Sequence, residues 1–474
     1  MKLSSSLTEN LKELKKAMPS SDIRFTKVEL GKTRGVLIFS EAVTDKKSLG
    51  DLIVKPLKEL KSVSEETLLS SALSPDKKTL DGLTEIEEEI ASGNTVLIAD
   101  GIKKAFSFGL KKYEQRAITE PPTSTVIKGP REGFVESVPV NISLMRRRIK
   151  SPDLTFTSVT VGDLSKTPVV LCYLKSVADP TLVETVKDKL SNIKMDAVLD
   201  SSYVSKRLSG ESESLFKKVG NTEKPDILAA KILEGRVAVF VDGSPIALTV
   251  PYLLIEDFQS PSDYYGSPYS ATFSRVLRLI SVFISVLLPA LFVSAELFHL
   301  QLIPLAFLLT IENSIKGIPL SPSYEMFFTL LIFEILNEAS VRMPRYVGMV
   351  VSIVGALVLG ETAVNAGIIS APTLMIVALS GICLYTVPEL EQTLSFVRLV
   401  FLIVAGSIGC YGLLVAVGVL TVYLITFESY GAPVCAPYSP LVKKDLRDGF
   451  VKRSGDGTSR PLSIAKAKLF GGRK

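Results

Sequence analysis

The stretch from Arg275 to Phe427 constrains this chain more than any other, because long apolar runs follow one another there and short polar hinges hold almost every charge. A helix crossing a bilayer takes roughly 20 mostly apolar residues. The runs 276–295, 368–387 and 399–427 meet or approach that length, and 346–360 is shorter but has no charge until Glu361. These four read as spans. After the first of them, 302–311 is apolar for only half a span and reads as a re-entrant or interfacial piece. The run 324–339 reads as a helix with acids inside its apolar stretch. At about 100° per residue, Glu334 and Glu338 share one face and Glu325 points the opposite way. The expected block has about four spans plus a re-entrant or interfacial helix, with six spans as the alternative.

The net charge of +5 is unevenly placed. Between Lys443 and Lys474 ten Lys or Arg stand against three Asp, a local +7 that leaves the remainder near −2. The basic balance is therefore a property of the tail and does not argue for a nucleic-acid partner. Cytoplasmic segments flanking spans collect Lys and Arg. Arg275 and Arg278 before the first run, and Lys443, Lys444 and Arg447 after the last, place both ends of the block in the cytoplasm, whereas Arg342, Arg345 and Arg398 fit less well. The N-terminus starts as an amphipathic helix without the apolar core and cleavage site of a signal peptide, so residues 1–250 are expected to stay cytoplasmic. Cysteines 172, 383, 410 and 435 have no metal-like spacing and read as packing residues.

The front half looks duplicated. Asp22, Phe25, Thr26, Val28 and Gly31 recur as Asp153, Phe156, Thr157, Val159 and Gly162, an offset of 131 residues. Each copy leads into an apolar strand and a helix-like segment. Residues 90–101 then resemble 232–243 at an offset of 142, and both end in Asp-Gly (Asp100-Gly101, Asp242-Gly243), the dipeptide that favours a hairpin turn. Two related α/β subdomains are expected, 1–120 and 151–255, joined by a connecting segment 121–150. A helical transmembrane domain 256–430 and a basic cytoplasmic tail 431–474 follow. In the connecting segment Arg146, Arg147 and Arg148 form a basic cluster, read either as a solvated face or as a contact to anionic lipid or a neighbouring subunit.

No catalytic constellation is visible: His299 is the only histidine, no phosphate-binding loop appears, and neither a metal nor a cofactor is expected. The chain does not read as an enzyme. Ionisable groups within spans mark functional sites by default. Glu334, Glu338 and Arg342 follow at i, i+4 on one face, which suits either a structural ion pair or a cation-attracting ring in an oligomer. Gly348, Ser352 and Gly355 make a stripe of small residues with Glu361 at its mouth, which suits either close helix packing or a pore wall. Ala405 and Gly409 repeat the small-residue spacing and read as packing.

With these residues in view, the chain resembles the A-subunit family of bacterial spore germination receptors (GerA type). The likeness is carried by Gly235–Pro245 with Thr249–Tyr265, by Lys128–Glu136 with Asn141 and the three arginines, by Phe333–Ala339 with Arg342-Met-Pro-Arg345, and by Val351–Gly360. It departs at Leu215–Asp226, where only Thr222, Glu223, Pro225 and Asp226 keep the family pattern, and in a short N-terminal extension. The resemblance implies a membrane subunit of a nutrient germinant receptor in the spore inner membrane. A permease-like B subunit and a lipoprotein C subunit would be its partners, and homo-oligomerisation would form a gated monovalent-cation channel. It makes the pore reading of Gly348, Ser352 and Gly355 the favoured one. A germination-amplifying paralogue without its own nutrient sensor, or a non-conducting scaffold for the permease-like partner, remain the alternatives.

Overall fold

The computed structural model describes residues 3–344, 355 and 358–452, apart from 32, 61–62, 75, 113–128, 211–213, 444 and 447. Two compact units are present: Met1–Leu253 together with Glu428–Ala432, and Leu254–Phe427 together with Pro433–Arg453.

The first unit contains two five-stranded antiparallel sheets. In the first subdomain α1 (Leu7–Ala17) precedes β1 (Ile23–Leu30) and β2 (Thr33–Ser40). The chain then runs through α2 (Lys46–Leu49), a π-helical turn, α3 (Lys55–Lys58) and α4 (Glu65–Ser71) to β3 (Lys77–Leu80), α5 (Leu83–Ala91), β4 (Thr95–Ala99) and β5 (Ala105–Phe108). The second holds α6 (Val138–Arg148), β6 (Leu154–Val161), β7 (Thr167–Leu174), α7 (Pro180–Ser191), α8 (Ser201–Ser209), β8 (Gly220–Thr222), α9 (Pro225–Leu233), β9 (Val237–Val241) and β10 (Ala247–Val250). Strand order is β1-β2-β4-β5-β3 in one sheet and β6-β7-β9-β10-β8 in the other, the same permutation twice.

Alternation of side chains across a strand gives each sheet two apolar faces. In the first sheet Leu37, Phe39, Leu97 and Phe106 pack under α2–α4, while Val36, Ile38, Val96 and Ile98 pack under α1 and α5. In the second, Val169, Leu171, Val239 and Val241 meet α7 and α8, and Val170, Cys172, Ala238 and Phe240 meet α6 and α9. Each subdomain is thus a three-layer α/β/α sandwich, and the expectation of two related α/β subdomains holds. Residues 138–148, expected within a connecting segment, form α6 instead, which occupies in the second subdomain the place of α1 in the first.

The second unit is helical: α10 (Pro261–Tyr265), α11 (Pro268–Phe298), α12 (Leu305–Ile315), α13 (Pro322–Arg342), α14 (Ala371–Leu384), α15 (Glu391–Ile408) and α16 (Cys410–Thr426). Two stretches, Pro268–Phe298 and Pro388–Ile408, are long and apolar enough to cross a membrane, and α12, α14 and α16 are shorter apolar helices. At 1.5 Å per residue α11 is about 46 Å long, more than the roughly 30 Å hydrocarbon core requires. Apolar side chains stand exposed along these helices, among them Phe283, Ile382, Ile403, Leu414 and Val419.

Two expected spans take a different form. The run 399–427 is not one helix, because Gly409 at φ 72° ends α15 and starts α16. That conformation is open to glycine, and a Cβ there would lie 2.9 Å from the Phe298 ring. Gly409 therefore makes a break instead of the small-residue packing stripe expected with Ala405. The run 368–387 is likewise shortened: Ser370 caps α14 by accepting from the Thr373 N–H at 3.3 Å, and the helix runs 14 residues. The half-span piece 302–311 falls largely within α12. Most of 346–360 lies outside the described residues.

Candidate functional site

The helical unit holds its ionisable groups in a few buried constellations, and α13 supplies acids to two of them. Glu325 is buried and accepts hydrogen bonds from the Ser370 N–H at 2.8 Å and the Ser370 hydroxyl at 2.7 Å. Its carboxylate thus sits at the start of α14, where unsatisfied N–H groups favour negative charge. On the other side of α13, Glu334 pairs with Arg398 of α15 and accepts from the Ser395 hydroxyl at 2.8 Å. Arg398, 1% exposed, also donates from Nη1 to the Ser380 hydroxyl at 2.7 Å, and Ser380 donates to the Ser285 carbonyl at 2.8 Å. One guanidinium therefore links α13, α14 and α15, with α11 reached through Ser380. Asn337 donates to Glu391 at 2.7 Å along the same seam.

The expected Glu334, Glu338, Arg342 face divides in two. Only Glu338 and Arg342 pair with one another, at 2.7 Å on an exposed surface, a bond worth about 0.3–0.5 kcal/mol. Glu334 takes Arg398 instead, since removing one partner of a buried charge pair leaves the other uncompensated. Glu361 is exposed on a π-helical turn, Val358–Thr362. Gly355 faces α13, where an added Cβ would meet the methyls of Leu336 at 3.3 Å. Gly348 and Ser352 lie outside the described residues.

A second charge cluster stands at the start of α11. Arg275, wholly buried, donates to Asp263 at 3.1 Å, to Asp448 at 2.8 Å and to the Gly449 carbonyl at 2.5 Å. Arg278 donates to both oxygens of Asp263 at 2.7 and 2.9 Å. Burial would raise the Asp263 carboxyl, but the hydrogen bonds from Arg278, the Ser260 N–H and Arg275 outweigh it and hold the group below its ordinary range.

In the α/β unit the three arginines find partners within the chain. Arg146, 2% exposed, grips Asp22 with Nε at 3.0 Å and Nη2 at 2.8 Å, and its guanidinium lies 5.0 Å over the Phe156 ring. Desolvation pushes the Asp22 carboxyl up, yet Arg146 and the Ser20 and Ser40 hydroxyls hold it below the usual carboxylate range. Arg147 and Arg148 both bind Glu132. A cavity of about 400 Å³ opens beside this seam between the two subdomains, with a mixed-charge lining of Glu41, Asp45, Lys46, Lys47, Lys112 and Ser137 among others. Among the described residues no three His, Cys, Asp or Glu are grouped so as to hold a metal ion.

The Arg398 network and the cap on Glu325 were missed in the sequence. The available signal was that Arg398 and Glu325 each interrupt an apolar run, where a charge is costly unless the bundle pairs it. Counting Arg398 as a topology signal hid that role.

A duplicated α/β unit followed by a helical unit with exposed apolar side chains and internally paired charges fits a membrane-associated protein. The chain belongs to the Bacillus/Clostridium GerA spore germination protein family, whose family model matches residues 9–461. It is 34% identical to spore germination protein KA of Bacillus subtilis (strain 168) over 480 residues, 98% of this chain and 88% of that protein. It is 32% identical to spore germination protein GerLA of Bacillus cereus, over 95% of this chain and 94% of that protein. Among solved structures, the N-terminal domain of the A subunit of the Bacillus megaterium spore germinant receptor GerK3 is 28% identical, covers 54% of this chain and 98% of its own, and has a TM-score of 0.43.

Proposed function

We propose that this chain is the A subunit of a nutrient germinant receptor, a multi-pass protein of the spore inner membrane whose α/β unit and basic tail face the cytoplasm. It works with a permease-like B subunit and a lipoprotein C subunit, and copies of it assemble around an axis to form a gated channel for monovalent cations. The observation that carries this reading is the match to germination proteins along nearly the whole chain. The exposed position of the Glu361 carboxylate, a group able to attract cations, supports it further.

Of the small-residue stripe, Ser352 and Gly348 remain the proposed wall of the path, with Glu361 at its mouth. Gly355 packs on Leu336, which favours a packing role at that position. The test is cation release from germinating spores that carry Ser352→Leu or Glu361→Gln. The expected result is at least a tenfold slower release by Ser352→Leu and a smaller loss for Glu361→Gln, with normal receptor levels. Wild-type release by both variants would leave the scaffold reading in its place.

A further inference from the structure

Each five-stranded sheet ends on edge strands, and an edge leaves a row of backbone N–H and C=O groups open to pairing with another strand. The edges of the α/β unit are β1 and β3 in the first sheet and β6 and β8 in the second. Three of them are blunted. β1 carries Arg24, Lys27 and Glu29, β3 is four residues long with Lys77 and Lys78 among them, and β8 spans three residues. β6 differs: its eight residues, Leu154–Val161, include no charge and no proline.

The outer side of β6 can be followed residue by residue. Phe156 turns its backbone away from β7, because its carbonyl accepts the Ser21 N–H at 2.7 Å and its N–H donates to the Ser20 hydroxyl at 2.8 Å. Hydrogen-bonding direction alternates along an antiparallel strand, so Ser158 and Thr160 face outward as well. Pro168, opposite Thr160 on β7, agrees: its carbonyl is taken by the Asp242 N–H at 3.0 Å, on the β9 side. Among the described residues no backbone group meets the outward N–H and C=O of Ser158 or Thr160, and both side chains are exposed.

The neutrality of this edge decides what fits it. When a second β6 is set antiparallel with Val159 on a two-fold axis, Ser158 stands opposite the second copy's Thr160, Thr157 opposite its Val161, and Val159 opposite its own counterpart. The outward backbone groups of Ser158 and Thr160 then bond across the axis. Every cross-strand pair joins two hydroxyls or two β-branched side chains, combinations that stabilise a ladder and set no like charges against each other.

We infer that the β6 edge is a self-association surface that joins two copies of this chain into one continuous sheet. Such a contact is isologous and closes at two copies, so it links one assembly to another and stands apart from the rotational packing of a channel. It does not rest on the receptor reading.

The full chain in detergent tests it. Across the two-fold axis the residues at 159 form a non-hydrogen-bonded pair with Cα atoms about 4.5 Å apart, within reach of a disulfide. Val159→Cys should therefore give covalent dimers on mild oxidation at least tenfold faster than wild type and than Lys27→Cys, an exposed position on β1. Thr160→Pro removes an outward N–H that the β6–β7 ladder does not use, and Thr160→Lys puts a charge on the edge. Each, added to Val159→Cys, should slow dimer formation at least tenfold, and the lysine variant decides the matter if proline unfolds the strand. Val159→Cys that cross-links no faster than Lys27→Cys, or a dimer that forms at full rate beside Thr160→Lys, overturns the inference. So does an adduct with a different protein in place of the dimer when native membranes are oxidised.

Discussion

The two α/β subdomains repeat one another down to single hydrogen bonds, and then part at the seam between them. Asn10 bridges the Ser4 N–H and carbonyl at 3.0 and 2.7 Å, and Asn141, 131 positions later, bridges Val135 in the same way at 2.9 and 2.6 Å. Asp100 accepts the first N–H of α1 at 3.1 Å, and Asp242 accepts the first N–H of α6 at 3.2 Å. At the position of Lys15, which is exposed and stacks on Phe25, the second copy has Arg146, which stacks on Phe156 and is buried against Asp22. Side chains that satisfy backbone groups of their own subdomain are the same in both copies, while the one that faces the other copy differs. An arginine fork can satisfy a buried carboxylate bidentately, which a lysine cannot.

The largest effect should come from breaking that difference. Arg146→Ala strands a buried carboxylate and should cost about 3–5 kcal/mol, whereas Lys15→Ala should change stability by less than about 0.5 kcal/mol. Calorimetry of the α/β unit's transition in the detergent-solubilised chain would show it, and equal losses would refute the contrast.

The pH dependence sharpens the same point. Because the Asp22 carboxyl is held below its unfolded value, its contribution is fully present above about pH 4 and is lost as pH falls through the lower folded value. The melting temperature of the wild type should therefore fall more steeply between about pH 4 and pH 2 than that of the Asp22→Asn/Arg146→Met double variant. Parallel profiles would remove the charge pair from the account.

Smaller losses should match between the copies. Asn10→Ala and Asn141→Ala each unpair a backbone donor and acceptor and should each cost about 1–3 kcal/mol. Asp100→Ala and Asp242→Ala remove distant helix caps at about 1 kcal/mol apiece. A pair that differed by more than its own mean would show that the two copies no longer use these bonds alike.

Much of this was legible before any coordinates. The offsets of 131 and 142 residues identified the duplicated strands, and Asp100-Gly101 and Asp242-Gly243 marked the hairpins; their capping of α1 and α6 was not legible, since each reaches a helix about a hundred residues away. In the helical unit the apolar runs announced themselves, but their breaks did not. Gly409 reads as a packing glycine until the Phe298 ring is seen beside it. Spacing along one helix groups Glu334 with Glu338 and Arg342, and only the approach of α15 offers Glu334 the Arg398 guanidinium.

Hydrophobic period and internal repetition determined two α/β sandwiches followed by apolar helices, because such patterns act locally, residue upon neighbouring residue. Which arginine neutralises which acid was decided by tertiary structure. Those contacts join residues far apart in the chain, and the cost of burying an unpaired charge or donor selects among partners that the linear order leaves equivalent.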